Sequence, residues 1–281
     1  MSQDRRAHDD AVRVRAADSY LQIDGARLRY RDEGSGQAVI FIHGWTLDLD
    51  MWEPQAAALA SHCRVIRLDR RGHGLSSGQP SPAGDLADLG ALCRHLGLRQ
   101  VAVAGMSQGA RTALEFSCSS PAMISCLVLD GAPQIGTSGA QDIPYEHYRT
   151  LARRQGMAAF RREWAKHPLA GLRTGDRRAR QLLAQMIERY PGNDLTGAPA
   201  QASGAVACMP ADIRIPALVI SGEFDLESRR TAADELASQL PQAERAQIPG
   251  AGHLCNLDNP EAYNAAISGF FARHAIHHRT S

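Results

Sequence analysis

The sequence predicts an α/β fold: a doubly wound, mostly parallel sheet with a helical cap inserted between two of its strands. Three observations predict it. Short unbroken apolar runs such as Ala38-Val39-Ile40-Phe41-Ile42 recur along the 281 residues, and such runs belong to strands buried on both faces under helices. Segments of helical spacing separate the runs, which is the alternation of a parallel sheet. The alternation breaks once, from Gln134 to about Pro210, and then resumes.

Residues 1–18, with charges of both signs and no apolar core, read as a disordered arm. Ser19–Gly25 and Ala26–Asp32 are expected as two strands joined at Asp24-Gly25, a hairpin signal. Ala38–Ile42 is the first buried strand, and a helix follows over Trp52–Ser61, with Pro54 tolerated in its first turn. Arg64–Asp69 is the next strand. Ser81–Leu96 then carries Leu86, Leu89, Leu92 and Leu96 at helical spacing and stops at Gly97. Val101 opens another strand–helix unit, and Ile124–Leu129 is a strand ending at Asp130.

From Gln134 to Pro210 the chain is helical, arginine-rich and punctuated by prolines. A long excursion with its own helices inside a βα array reads as a cap, not a linker. Pro216–Ser221 (strand), Thr231–Leu240 (helix) and Glu244–Ile248 (strand) follow. Asn259 caps a last helix whose first position is Pro260. The expected organisation is therefore a core of residues 19–133 and 211–275, with residues 134–210 as the cap.

A formal charge of +1 gives no electrostatic footprint for nucleic acid or an anionic membrane surface. No apolar run is long enough to span a bilayer, and the first residues lack the apolar stretch of a secretory signal, so a cytoplasmic location is expected. The six cysteines lack C-x-x-C spacing, which argues against structural zinc and against a disulfide framework. They are expected to be reduced, mostly buried side chains, with Cys255 packing close behind His253.

The chemistry centres on Val101–Ala110. A strand ends at Gly105-Met106-Ser107-Gln108-Gly109 and a helix begins at once, which is the setting of a nucleophile elbow. The turn forces Ser107 into a sparsely populated backbone conformation, and glycines two positions either side let strand and helix approach. Gly-x-Ser-x-Gly arises by chance in roughly one chain in ten of this length, so its partners must decide. In a doubly wound sheet ligands bind at the carboxyl ends of strands. The polar residues at those ends are His43, Asp69, Ser107, Asp130, Asp225 and His253. A serine hydroxyl needs a base, and the base needs a carboxylate to fix its tautomer. His253 is the expected base and Asp225 the expected acid, in the chain order Ser–Asp–His.

With these residues in view, the sequence resembles the α/β-hydrolase family from about Leu21 to Phe271. His43-Gly44-Trp45, Asp69–Ser76, Gly105–Gly109, Gly222–Asp225 and Gly250–His253 carry the resemblance. It implies an oxyanion hole from the backbone N–H groups of Gln108 and Trp45. Two donors are wanted because charge develops on the carbonyl oxygen during acyl transfer. Two positions depart from the family pattern. Ala110 stands where many relatives have glycine, and Asp130 occupies a strand exit that carries the acid in some relatives.

The expected activity is that of a serine hydrolase for small to medium carboxylic esters or lactones, needing no cofactor and no metal. Carbon–carbon hydrolases, non-metal haloperoxidases, cofactor-free dioxygenases and tailoring hydrolases share a serine elbow. A slow-turnover receptor on the same fold is the alternative of another class. Trp45, Trp164 and Leu254 are expected to line the substrate pocket. His43, Arg71 and His73 are expected to hold loops, the arginines Arg153, Arg154, Arg161, Arg162 and Arg173 to form a solvated face, an entrance for acidic substrates being the other reading, and His274, His277 and His278 to lie in a polar tail.

Overall fold

The computed structural model describes residues 16–132, 142–197 and 209–274. Its strands are β1 (Ser19–Ile23), β2 (Ala26–Glu33), β3 (Ala38–Ile42), β4 (Arg64–Leu68), β5 (Val101–Met106), β6 (Ile124–Asp130), β7 (Ala217–Gly222) and β8 (Ala243–Ile248). They form one sheet in the order β1-β2-β4-β3-β5-β6-β7-β8. The first two pairings, β1 with β2 and β2 with β4, are antiparallel, and the remaining pairings are parallel. Every residue of β3, β5 and β7 is buried, as their unbroken apolar runs require. Alternate residues feed opposite faces: Val39 and Phe41 join one core, Ile40 and Ile42 the other.

Helices α1 (Glu53–Leu59), α2 (Pro82–His95) and α3 (Gln108–Ser119) connect the first half of the sheet. Between β6 and β7 the chain leaves the sheet and forms α4 (Tyr145–Gln155), α5 (Met157–Trp164), α6 (Arg177–Arg189) and the single turn α7 (Asn193–Thr196). Helix α8 (Glu227–Gln239) precedes β8, and α9 (Cys255–Asp258) and α10 (Pro260–His274) end the described chain. None of the described helices is long and apolar enough to cross a membrane.

Three expectations need correction. The arm was expected to reach residue 18, yet Asp18 is held by Arg29 Nε at 2.9 Å and Arg31 Nε at 2.7 Å; residues 1–15 lie outside the described part. Helix α8 starts four residues before Thr231, because Glu227 through Arg230 already form its first turn after Leu226. The cysteines are not all reduced. Cys63, Cys93, Cys126 and Cys255 are free and buried, whereas Cys118 near the end of α3 is disulfide-bonded; Cys208 lies outside the described residues, as do His277 and His278.

The helical excursion is fastened to the core by charge. Arg189 at the end of α6 sits 2.7 Å from both Asp48 and Asp50. Those two carboxylates are buried behind the loop that follows β3. Asp50 is shared with Arg31 at 2.8 Å, so one buried network ties the edge hairpin, this loop and the excursion together. Breaking one member of such a network strands the others without a partner.

Candidate active site

Strand β5 delivers Ser107 at a turn where its backbone takes φ 53° and ψ −113°. The elbow needs its glycines. A Cβ on Gly105 would lie 2.2 Å from the Gly109 carbonyl oxygen, and one on Gly109 would lie 2.2 Å from that of Ile42. The turn is held from β6, where the carbonyl of Asp130 accepts the Ser107 N–H at 2.7 Å.

Loops after β7 and β8 supply a carboxylate and an imidazole. His253 Nδ1 and Asp225 Oδ2 are 2.8 Å apart, and the Asp225 side chain is fully buried. Asp225 Oδ1 also accepts the Leu226 N–H at 2.7 Å, which fixes the carboxylate. With Nδ1 engaged, Nε2 is the nitrogen left for proton transfer. His253 and Ser107 line the same small chamber; among the described residues Ser107 Oγ makes no hydrogen bond. Hydrogen bonds of this kind are commonly long without substrate and tighten once it is bound.

The loop after β3 passes beside Ser107. A Cβ on Gly44 would lie 2.7 Å from Met106 Sδ and 3.3 Å from the Met106 carbonyl oxygen, with the Ser107 Cβ 3.4 Å away, so glycine lets the loop lie this close to the elbow. His43 fixes the loop's shape: Nδ1 donates to the Gly44 carbonyl at 2.7 Å while Nε2 accepts the Arg70 N–H at 2.9 Å. Burial pushes His43 well below the ordinary imidazole value, so it is neutral and structural, as expected. The backbone N–H groups of Trp45 and Gln108 have no acceptor among the described residues. Two free donors beside a buried hydroxyl form a ready site for an oxyanion.

Asp130, the other strand-exit acid, serves a different circle. Its Oδ1 accepts the Cys255 thiol at 3.2 Å. Full burial pushes its pKa up to about 8. The strand exit of β6 meets the imidazole through Gly131 instead, where an added Cβ would lie 2.8 Å from His253 Cε1. Asp69 is likewise structural, accepting the N–H groups of Leu49 and Leu75 at 2.8 Å each.

Two spaces open from Ser107. The chamber of about 20 Å³ is lined by Trp45, Trp164 and Leu254, the three residues expected there, with Leu169 and Ile187. It has room for about one water-sized group. On the other side lies a cleft of about 680 Å³ that reaches Arg70, Gln108, Arg111, Tyr145, Asp194 and Arg229. Trp45 stands between the two. Its ring N–H donates to the Tyr190 hydroxyl at 2.9 Å and to Asp194 at 2.7 Å, and its ring packs 4.8 Å from that of Trp164. Trp164 Nε1 in turn donates to Thr46 Oγ1 at 2.8 Å, so Trp164 belongs both to the packing of the excursion and to the chamber wall.

The sequence reading left several of these residues unnamed. Tyr190 and Asp194 follow α6 with no motif around them. Arg111 lies one helical turn beyond Ser107, a spacing that could have flagged it. Arg229 fell in a stretch read as loop. The arginines of the excursion face elsewhere: Arg153 donates to the carbonyls of Leu195 and Gly197, and Arg161 to that of Tyr190.

Comparison with known proteins agrees with this architecture. Residues 37–260 match the model for the alpha/beta hydrolase fold. A non-heme haloperoxidase from Rhodococcus erythropolis is 30% identical, over 88% of this chain and 96% of its own. Among solved structures, a thermophilic esterase from Thermogutta terrifontis is 26% identical with a TM-score of 0.76, covering 92% of this chain and 99% of its own. The enol-lactonase from Burkholderia xenovorans LB400 is 27% identical with a TM-score of 0.75, covering 90% and 100%. By the sheet order, the strand-exit constellation and the family match, this chain belongs to the α/β-hydrolase family.

Proposed function

We propose that the protein is a serine hydrolase of small to medium carboxylic esters or lactones, with Ser107 as nucleophile, His253 as general base and Asp225 as the acid that orients it. The observation that carries the reading is the 2.8 Å contact between His253 Nδ1 and buried Asp225, made by an imidazole that shares a chamber with Ser107. Ser107 Oγ attacks the carbonyl carbon and its proton passes to His253 Nε2. Negative charge on the former carbonyl oxygen is met by the N–H groups of Trp45 and Gln108. Asp225 stays ionised and stabilises the imidazolium. When the carbon–oxygen bond breaks, the leaving oxygen takes the proton from Nε2. Water then attacks the acyl-enzyme, giving its proton to the same nitrogen; the bond from the acyl carbon to Ser107 Oγ breaks, Oγ takes that proton back, and the acid is released.

The helices between β6 and β7 act as the cap of this site: Trp164, Leu169 and Ile187 reach the chamber from them. The test is direct. Purified protein should hydrolyse methyl butanoate and be labelled by a fluorophosphonate, and Ser107→Ala should remove both. Absence of turnover together with absence of label in the unaltered protein would sink the enzyme reading and favour a receptor.

A further inference from the structure

The cleft on the far side of Ser107 is lined by three arginines and four carboxylates, and two of the arginines keep N–H groups that none of those carboxylates takes up among the described residues. Arg70 is saturated: Nε donates to Asp85 at 2.9 Å and Nη1 to Gln108 at 3.1 Å. Arg229 is not. Its side chain is 3% exposed, and its one ion pair among the described residues is with Asp142, 2.8 Å from Nε. Its Nη1 is buried with no hydrogen-bond partner among the described residues. A buried guanidinium N–H without an acceptor is costly, so it marks a place where an acceptor belongs. Arg111 lines the same cleft; it is exposed, and its side chain makes no hydrogen bond or ion pair among the described residues. Desolvation lowers its pKa, Glu115 one turn along the helix opposes that, and the like charges of Arg70 and Arg229 lower it further. Two more carboxylates, Glu146 and Asp194, touch the cleft. Asp194 is already engaged by Trp45, Tyr145 and Tyr190.

The reacting centre then sets direction. The leaving oxygen must lie against the imidazole that protonates it, and His253 lines the small chamber but not the cleft. The leaving group therefore occupies the chamber side and the acyl chain runs into the cleft. We infer that Arg111 and Arg229 together bind a free carboxylate at the far end of the acyl chain. The preferred substrates are accordingly half-esters of dicarboxylic acids with a small leaving group. This rests on the ester-hydrolase reading above and names its substrate class. Guanidinium groups suit the role because their planar forks match carboxylate geometry.

The experiment compares kcat/KM for monomethyl adipate with that for methyl hexanoate, which replaces the free carboxylate by a methyl group. One charge-assisted hydrogen bond contributes about tenfold or more in affinity, so the unaltered protein should prefer the half-ester by at least that factor. The ratio should collapse towards unity in Arg111→Gln and in Arg229→Gln. Should the Arg229 variant not fold for want of a partner for Asp142, Arg111→Gln alone decides. Free adipate should inhibit competitively, and less so in Arg111→Gln. A protein that hydrolyses methyl hexanoate as well as the half-ester overturns this inference and leaves the ester reading intact. A preference that neither variant reduces overturns the assignment to these arginines. Failure to turn over either ester, with no fluorophosphonate label, overturns both readings at once.

Discussion

Strands β6 and β7 lie side by side and each ends in a buried aspartate, yet the two exits do different work. Asp225, beyond β7, contacts the imidazole and a backbone N–H. Asp130, at the end of β6, accepts the Cys255 thiol through Oδ1, and the buried Tyr263 hydroxyl is the other polar group against it. Burial alone does not make a carboxylate an orienting acid. What differs is the partner: Asp225 faces an imidazole, which can carry positive charge, whereas Asp130 faces a thiol and a phenol, which cannot, and burial raises its pKa.

The largest test of this difference is Asp225→Asn. Loss of a triad carboxylate lowers kcat by about 10³- to 10⁴-fold in serine hydrolases generally. Asp130→Asn should change kcat/KM for methyl butanoate only a few-fold. Equal losses in the two variants would erase the distinction between the exits. Next comes Gly131→Ala, which adds a methyl 2.8 Å from His253 Cε1 at a position with φ 54°. A base displaced by a fraction of an ångström should cost about 10- to 100-fold in kcat, measured with folding verified by circular dichroism. That result would show β6 acting on catalysis through its backbone, not its acid.

Smaller effects concern stability. Cys255→Ala removes the thiol donor of Asp130 and should cost about 1–3 kcal/mol in chemical denaturation, with catalysis little altered. The smallest is a slope. Asp130 titrates near pH 8 in the folded chain against a usual value near 3.8, so the folded state holds its proton more tightly than the unfolded state does. That contribution is fully present below about pH 4 and is lost as pH rises through about 8. The thermal midpoint of the unaltered protein should therefore fall between pH 5 and 9, and Asp130→Asn should flatten the fall. An unchanged slope would mean that Asp130 is ionised in the folded chain.

The two exits also mark how far the sequence could be read. Unbroken apolar runs, glycine spacing and chain order sufficed for the sheet and for the proposed roles of Ser107, Asp225 and His253, because these features are local. The antiparallel hairpin was legible from Asp24-Gly25, but the burial of Arg29 and Arg31 within it was not. Charged residues in an edge strand read as solvated until Asp18, Asp50 and Asp69 are brought to them by distant parts of the chain. Helical periodicity located the excursion without saying which faces of its helices turn towards Ser107. Trp164 was placed by composition alone, and Tyr190 and Asp194 were not placed at all. Arg229 escaped because charged residues at the start of α8 hid a helix whose buried face begins with it. The bond at Cys118 was invisible for a similar reason, since sequence spacing does not report which sulfurs the fold brings close.

The indole of Trp45 has a consequence for how this scaffold can be altered. Its ring is clamped by Tyr190 and Asp194 from the excursion, while its own amide is the proposed donor to the oxyanion. Selectivity and rate are thereby joined in one residue. Grafting a roof from a relative, without also transplanting a tyrosine and an aspartate that seat this indole, should slow bond cleavage itself, even where the new roof fits its intended guest.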